Sequence, residues 1–187
     1  MNARPCEDIK MVIGSWGSYN ECNERALGSR WLTLSDYSDW EEIEEELAGE
    51  GFELDGMDEE LFVQDIEGID SSACNWDYTH PQTLFELLKE AEVLEDSSKY
   101  DVLCAYLECR GYNEFKDLVE RYGSDWDQDI YLYPDYDWED YGREMFHLMG
   151  YQVDKSILDY FDYKEYGESF RFDSSIEEYS GGLIEIR

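Results

Sequence analysis

At 187 residues the chain can hold one domain or two to three small ones, each with a buried core. It carries 48 Asp and Glu against 14 Lys and Arg, a net charge of -34, which disfavours nucleic acid and anionic membrane as direct partners and calls for a basic one. Six Trp, 16 Tyr and 8 Phe with three Pro argue against a disordered acidic tail, because such tails lack the apolar surface that offsets chain entropy.

The expected fold class is α+β, an elongated array of three small domains: 1–70, a three-stranded sheet with a helix; 71–124, a helical bundle; and 125–187, a second three-stranded sheet with helices. In the first part, Lys10 to Trp16 and Arg30 to Leu34 read as short strands separated by a polar stretch with Gly14, Gly17, Asn20, Asn23 and Gly28. Ser38 and Glu41 fit a capping box ahead of a helix whose apolar positions are Trp40, Ile43 and Leu47. Gly49 and Gly51 end that helix, and Leu61 to Ile66 supplies a third strand.

The middle reads as three helices. Pro81 opens one with Leu84, Leu87, Leu88 and Ala91 on its inner face. A second spans about Ser98 to Cys109, and a third carries Phe115, Leu118, Val119 and Tyr122 up to Gly123. The last part returns to mixed structure: a strand Ile130 to Tyr133 ended by Pro134, then a helix marked by Trp138, Tyr141, Met145, Leu148 and Met149 and closed by Gly150. A further helix is expected over about Lys155 to Tyr166, and closing strands at Phe170 to Phe172 and Leu183 to Ile186.

Catalytic patterns are missing. His80 and His147 make no standard zinc spacing with Cys6, Cys22, Cys74, Cys104 or Cys109, and no phosphate-cradling glycine loop or nucleophile elbow occurs. Asp125, Asp127 and Asp129 start like a calcium loop, but Ile130 replaces the turn glycine and Tyr136 the bidentate Glu. No metal, no cofactor and no enzymatic activity are expected. The odd cysteine count, the absence of an apolar leader and of a span of roughly 20 apolar residues point to the cytoplasm.

The charge itself suggests a mechanism. DNA carries two charges per base pair, so -34 equals the charge of roughly 17 base pairs. Helical carboxylates three or four apart lie about 5–6 Å apart, within reach of phosphate spacing. The acids expected to face a basic groove are Glu41, Glu42, Glu44, Glu45, Glu46, Asp58, Glu59, Glu60, Asp125, Asp127, Asp129, Asp135, Asp137, Glu139 and Asp140. Halophilic solvation, an acidic interaction or chaperone protein for another basic DNA-binding partner, and an acid- or metal-dependent enzyme are the competing readings.

The run VIGSWGSYNECNERALGSRWLTL (Val12 to Leu34), the acidic helix after it and DYFDYKEYGESF (Asp159 to Phe170) resemble the ArdA antirestriction proteins of plasmids and conjugative transposons. Tyr19, Asn20 and Glu21, and the Tyr166–Gly167 step, carry the resemblance most clearly. It implies a three-domain, curved DNA mimic that occupies the DNA groove of type I restriction-modification enzymes, at their specificity and methyltransferase subunits, and blocks restriction and modification of DNA arriving by conjugation. It also implies a homodimer through the C-terminal domain. The family's antirestriction motif falls on Met149 to Tyr163, making Val153, Ile157, Leu158 and Phe161 the interface candidates; filling of the domain core is the other reading of these four. Asp154 stands where the family commonly has proline, and Glu168 and Ser169 where it commonly has arginine and aspartate.

Overall fold

The computed structural model describes residues 9–172 and 175–187, so Cys6 lies outside the described residues. The chain is mixed α+β, with two separate three-stranded antiparallel sheets and helices between them. It divides into two compact units between Trp126 and Asp127.

The first unit is organised by β1 (Lys10–Ser15), whose residues from Met11 to Ser15 are buried. It lies between β2 (Leu32–Thr33) and β3 (Leu61–Glu67), antiparallel to both, with Met11 opposite Leu32 on one side and Ile66 on the other. The register shifts between Val12, opposite Asp65, and Ile13, opposite Val63, which leaves Gln64 unmatched in the β1–β3 ladder. The polar stretch after β1 contains α1 (Trp16–Glu21), and Trp16 therefore begins a helix where a strand end was expected. The Ser15 hydroxyl caps it by accepting the Ser18 N–H.

The acidic helix is α2 (Trp40–Gly49), burying Trp40, Ile43 and Leu47 as their spacing dictates. Its cap sits one residue later than Ser38: the Asp39 carboxylate accepts the Glu42 N–H, and the Glu42 carboxylate reaches back past the cap to accept the Ser38 N–H. The tetrapeptides from Ser38 and from Asp39 both fit the pattern, and Asp39 is the stronger acceptor at a helix N-terminus.

Three helices complete this unit: α3 (Pro81–Glu90), α4 (Ser97–Cys109) and α5 (Tyr112–Tyr122). They enclose Leu84, Leu88, Leu103 and Phe115, all nearly inaccessible. Trp126 closes the bundle, its indole donating to the Ala91 carbonyl and standing edge-on to Phe115. Trp40 of α2 packs 6.3 Å from Phe85 of α3, joining the acidic helix to the bundle.

The second unit has β4 (Ile130–Pro134), β5 (Ile176–Tyr179) and β6 (Gly182–Ile186) in the order β4–β6–β5. Pro134 takes the last position of an edge strand, where its missing N–H is tolerated. Over the sheet lie α6 (Trp138–Leu148) and α8 (Tyr163–Ser169), with a single turn, α7 (Lys155–Leu158), between them. The continuous helix expected from Lys155 to Tyr166 is thus broken: Asp162 caps a new helix by accepting the Glu165 N–H, and Phe161 turns to pack 4.8 Å from Phe146. Phe170 to Phe172 is a turn after α8 and no strand, because Phe170 belongs to the core of Trp138, Tyr141, Ile176 and Leu183. Ile176–Tyr179 supplies the strand instead.

Candidate functional site

With Trp40, Ile43 and Leu47 inward, α2 leaves Glu41, Glu42, Glu44 and Glu45 exposed and Glu46 half-buried. The first-turn acids Glu41 and Glu42 gain from the helix dipole, whereas Glu45 and Glu46 work against it, and no base occupies the last turn. Facing the helix, the following loop completes an open hollow of about 670 Å3 lined by Glu41, Glu44, Glu45 and Ala48 on one side and by residues 52–56 on the other. Glu53 and Asp55 therefore join the expected α2 acids, although nothing in their local spacing singled them out. Glu59 and Glu60 are exposed farther along the same loop.

Asp58 does not belong to that surface. It is wholly buried, paired with Arg25 at 3.2 Å, and accepts the Ser18 hydroxyl and the Glu53 N–H. Burial disfavours its anion, but hydrogen bonds from Ser15, Ser18 and the Glu53 backbone, with the charge of Arg25, outweigh this and hold the carboxyl below its usual range.

The acidic face is unbalanced by construction. From Trp31 to Leu88 the sequence has 18 Asp and Glu and no Lys or Arg. Bases elsewhere are turned to internal work. Arg30 bridges Glu46 at 2.8 Å and Glu50 at 3.3 Å, and the Lys89 ammonium donates to the Ser38 carbonyl at the start of α2. Lys116, Arg143 and Lys164 each pair with a Glu four residues later or earlier on their own helix. Among the described residues, Lys10 and Lys155 have no such partner, and Arg121 lies only over the ring of Tyr122.

In the second unit Asp135, Asp137, Glu139 and Asp140 are exposed around the start of α6. The Asp137 carboxylate caps that helix, accepting the Glu139 and Asp140 N–H groups, and Glu139 is paired with Arg143. Asp135 and Asp140 line an open hollow of about 640 Å3 with Glu144, Arg143 and His147. Asp125 ends a turn in the first unit, while Asp127, half-buried, and Asp129 open the second. No three His, Cys, Asp or Glu side chains among the described residues form a group able to hold a metal ion.

The four interface candidates divide. Val153 and Ile157 are exposed, beside Leu148, Met149, Tyr151 and Tyr160, which are exposed too. Leu158 and Phe161 are half-buried, and Phe161 meets Phe146, Tyr163 and Tyr166. No helix among the described residues is long and apolar enough to cross a membrane.

These features define an acidic α+β protein of two units, the first carrying a run from Trp31 to Leu88 with no Lys or Arg. Residues 11–185 match the family model described as antirestriction protein (ArdA), and the chain belongs to that family. No curated protein matches it. Membership implies an antirestriction function, directed at restriction enzymes generally, in a family that is not one of enzymes.

Proposed function

We propose that the protein inhibits type I restriction-modification enzymes by lying in their DNA groove as a mimic of DNA, without catalysis. The observation that carries this reading is the stretch from Trp31 to Leu88 without Lys or Arg, with the α2 carboxylates exposed at helical spacing. A basic groove that binds such a face releases condensed counterions, as it does when it binds DNA. On this reading the contacts fall on the specificity and methyltransferase subunits, methylation is blocked as well as cleavage, and the setting is the cytoplasm of a cell receiving DNA by conjugation. The parts 1–70, 71–124 and 125–187 act as successive sections of the mimic, and the last joins two copies through the exposed apolar residues around Val153 and Ile157.

The test is competition. A fluorescent duplex bound to a type I methyltransferase core is titrated with the protein at low salt and again at rising salt. Displacement at low salt that weakens steeply with salt is expected. A duplex that stays bound at low salt refutes the reading.

A further inference from the structure

We propose that Asp58 is a positioning residue, a buried anion that sets the acidic wall facing α2 and so fixes the shape of the partner-binding hollow; this rests on the DNA-mimic reading above. The residue closes the loop in both directions. Its N–H donates to the Glu53 carbonyl at 3.0 Å, and its carboxylate accepts the Glu53 N–H at 2.8 Å. It also ties the loop to the segment after β1: Ser18, 40 residues earlier, donates its hydroxyl, and Arg25 pairs with the second oxygen at 3.2 Å. Asn23 donates to the same Ser18 oxygen, which orients the hydroxyl toward Asp58.

Two further contacts hold the same junction. The Trp16 N–H donates to the Glu60 carbonyl at 3.0 Å, and a Cβ on Gly17 would lie 1.8 Å from the Met57 carbonyl oxygen, so only glycine permits the approach. The loop bearing Glu53 and Asp55 is thereby clamped at its base while its carboxylates stay exposed. Arg25 serves here as the internal counterion of Asp58, which keeps one of the few bases from offsetting the outer face. Within the acidic run, Asp58 is the one residue whose charge is directed inward by every partner it has.

The experiment compares Asp58→Asn with Glu59→Gln, which removes the same single charge from the exposed neighbour. Both are assayed by displacement of duplex from a type I methyltransferase core, at a temperature where circular dichroism shows both folded. Asp58→Asn is expected to lose roughly tenfold in affinity, as Glu53 and Asp55 leave the array, and Glu59→Gln less than about threefold. The slope of log affinity against log salt should become shallower for Asp58→Asn by about 2, near 0.9 for each carboxylate withdrawn from the groove. Circular dichroism at every salt concentration checks that both variants stay fully folded, because refolding with added salt would itself flatten the slope.

Should Asp58→Asn fail to fold, Ser18→Ala removes one hydrogen bond and no charge. A several-fold loss of affinity with faster hydrogen exchange at the Glu53 amide supports the proposal. Wild-type affinity and slope in a folded Asp58→Asn, or in a Ser18→Ala whose Glu53 amide exchanges faster, overturn it. Wild-type protein that displaces no duplex overturns the mimic reading itself and this inference with it.

Discussion

Adding one methyl group at Gly167 should break the second unit, although alanine is the better helix former. A Cβ there would lie 2.0 Å from the Trp138 carbonyl oxygen and 3.0 Å from the Gly142 nitrogen. The reciprocal contact at Gly142 is as close, 1.9 Å from the Tyr163 carbonyl oxygen. Carbon–oxygen contacts of this kind settle at about 3.3–3.6 Å, so α6 and α8 would have to part by more than about 1 Å. The obstructing atoms are backbone and cannot rotate away, which places the cost at the upper end of overpacking, about 3 kcal/mol. Replacing glycine inside a helix returns about 1 kcal/mol, leaving a net loss of about 2 kcal/mol. In a unit of this size that lowers Tm by roughly 8–16 °C. Calorimetry of the full chain measures it, with Gly49→Ala as the control. Gly49 ends α2 with nothing within 4 Å of its would-be Cβ, so alanine there should leave Tm unchanged or raise it. If Gly167→Ala melts at or above the wild-type temperature, the close helix crossing is wrong.

Single Glu→Gln changes at Glu41, Glu44 or Glu45 should each weaken duplex displacement by less than about 1 kcal/mol, and combined changes should weaken it progressively; competition titrations read this, and one abrupt loss would contradict a shared charge array. High pH should unfold both units. Burial, chiefly, pushes the Tyr112 and Tyr141 hydroxyls up to about 12, so the stability they contribute is fully present below about pH 10 and is lost as pH rises through 12. Tyrosine absorbance near 295 nm should therefore rise together with loss of the near-ultraviolet circular dichroism. Ile157→Asp should halve the mass seen by sedimentation while Tm stays within a few degrees, since that side chain is exposed; an unchanged mass would remove Ile157 from the dimer contact.

Much of the fold was readable because its periods are strong. The 40, 43, 47 spacing of α2 survives intact, as do the inner face of α3 and the positions of β1, β3, β4 and β6, while α5 buries Phe115 and Val119 as expected but adds Tyr112 and leaves Tyr122 exposed. What escaped depends on distant partners. α1 has six residues, one of them glycine, and exists because Ser15 caps it and Glu60 and Met57 hold it in place. Asp58 reads as one more acid in an acidic run, and only the folded chain brings Ser18 and Arg25 to it. The break before α8 follows from the attraction of Phe161 to Phe146, which a helical count over Lys155 to Tyr166 cannot register. The Tyr166–Gly167 step, visible as a motif, acquires its physical meaning from the crossing with α6: no other residue fits against the Trp138 carbonyl.

The absence of any Lys or Arg between Trp31 and Leu88 sets fold and binding at odds over salt. In the free protein the carboxylates of α2 repel one another, and Glu45 and Glu46 also oppose the end of their own helix. Dissolved ions screen that repulsion, so added salt relieves the first unit and should make it harder to melt. The same ions compete for the basic groove and loosen the complex. At low ionic strength the face is held in a strained, concentrated state whose relief comes from a cationic surface. The partner thus does for the helix what the sequence itself withholds.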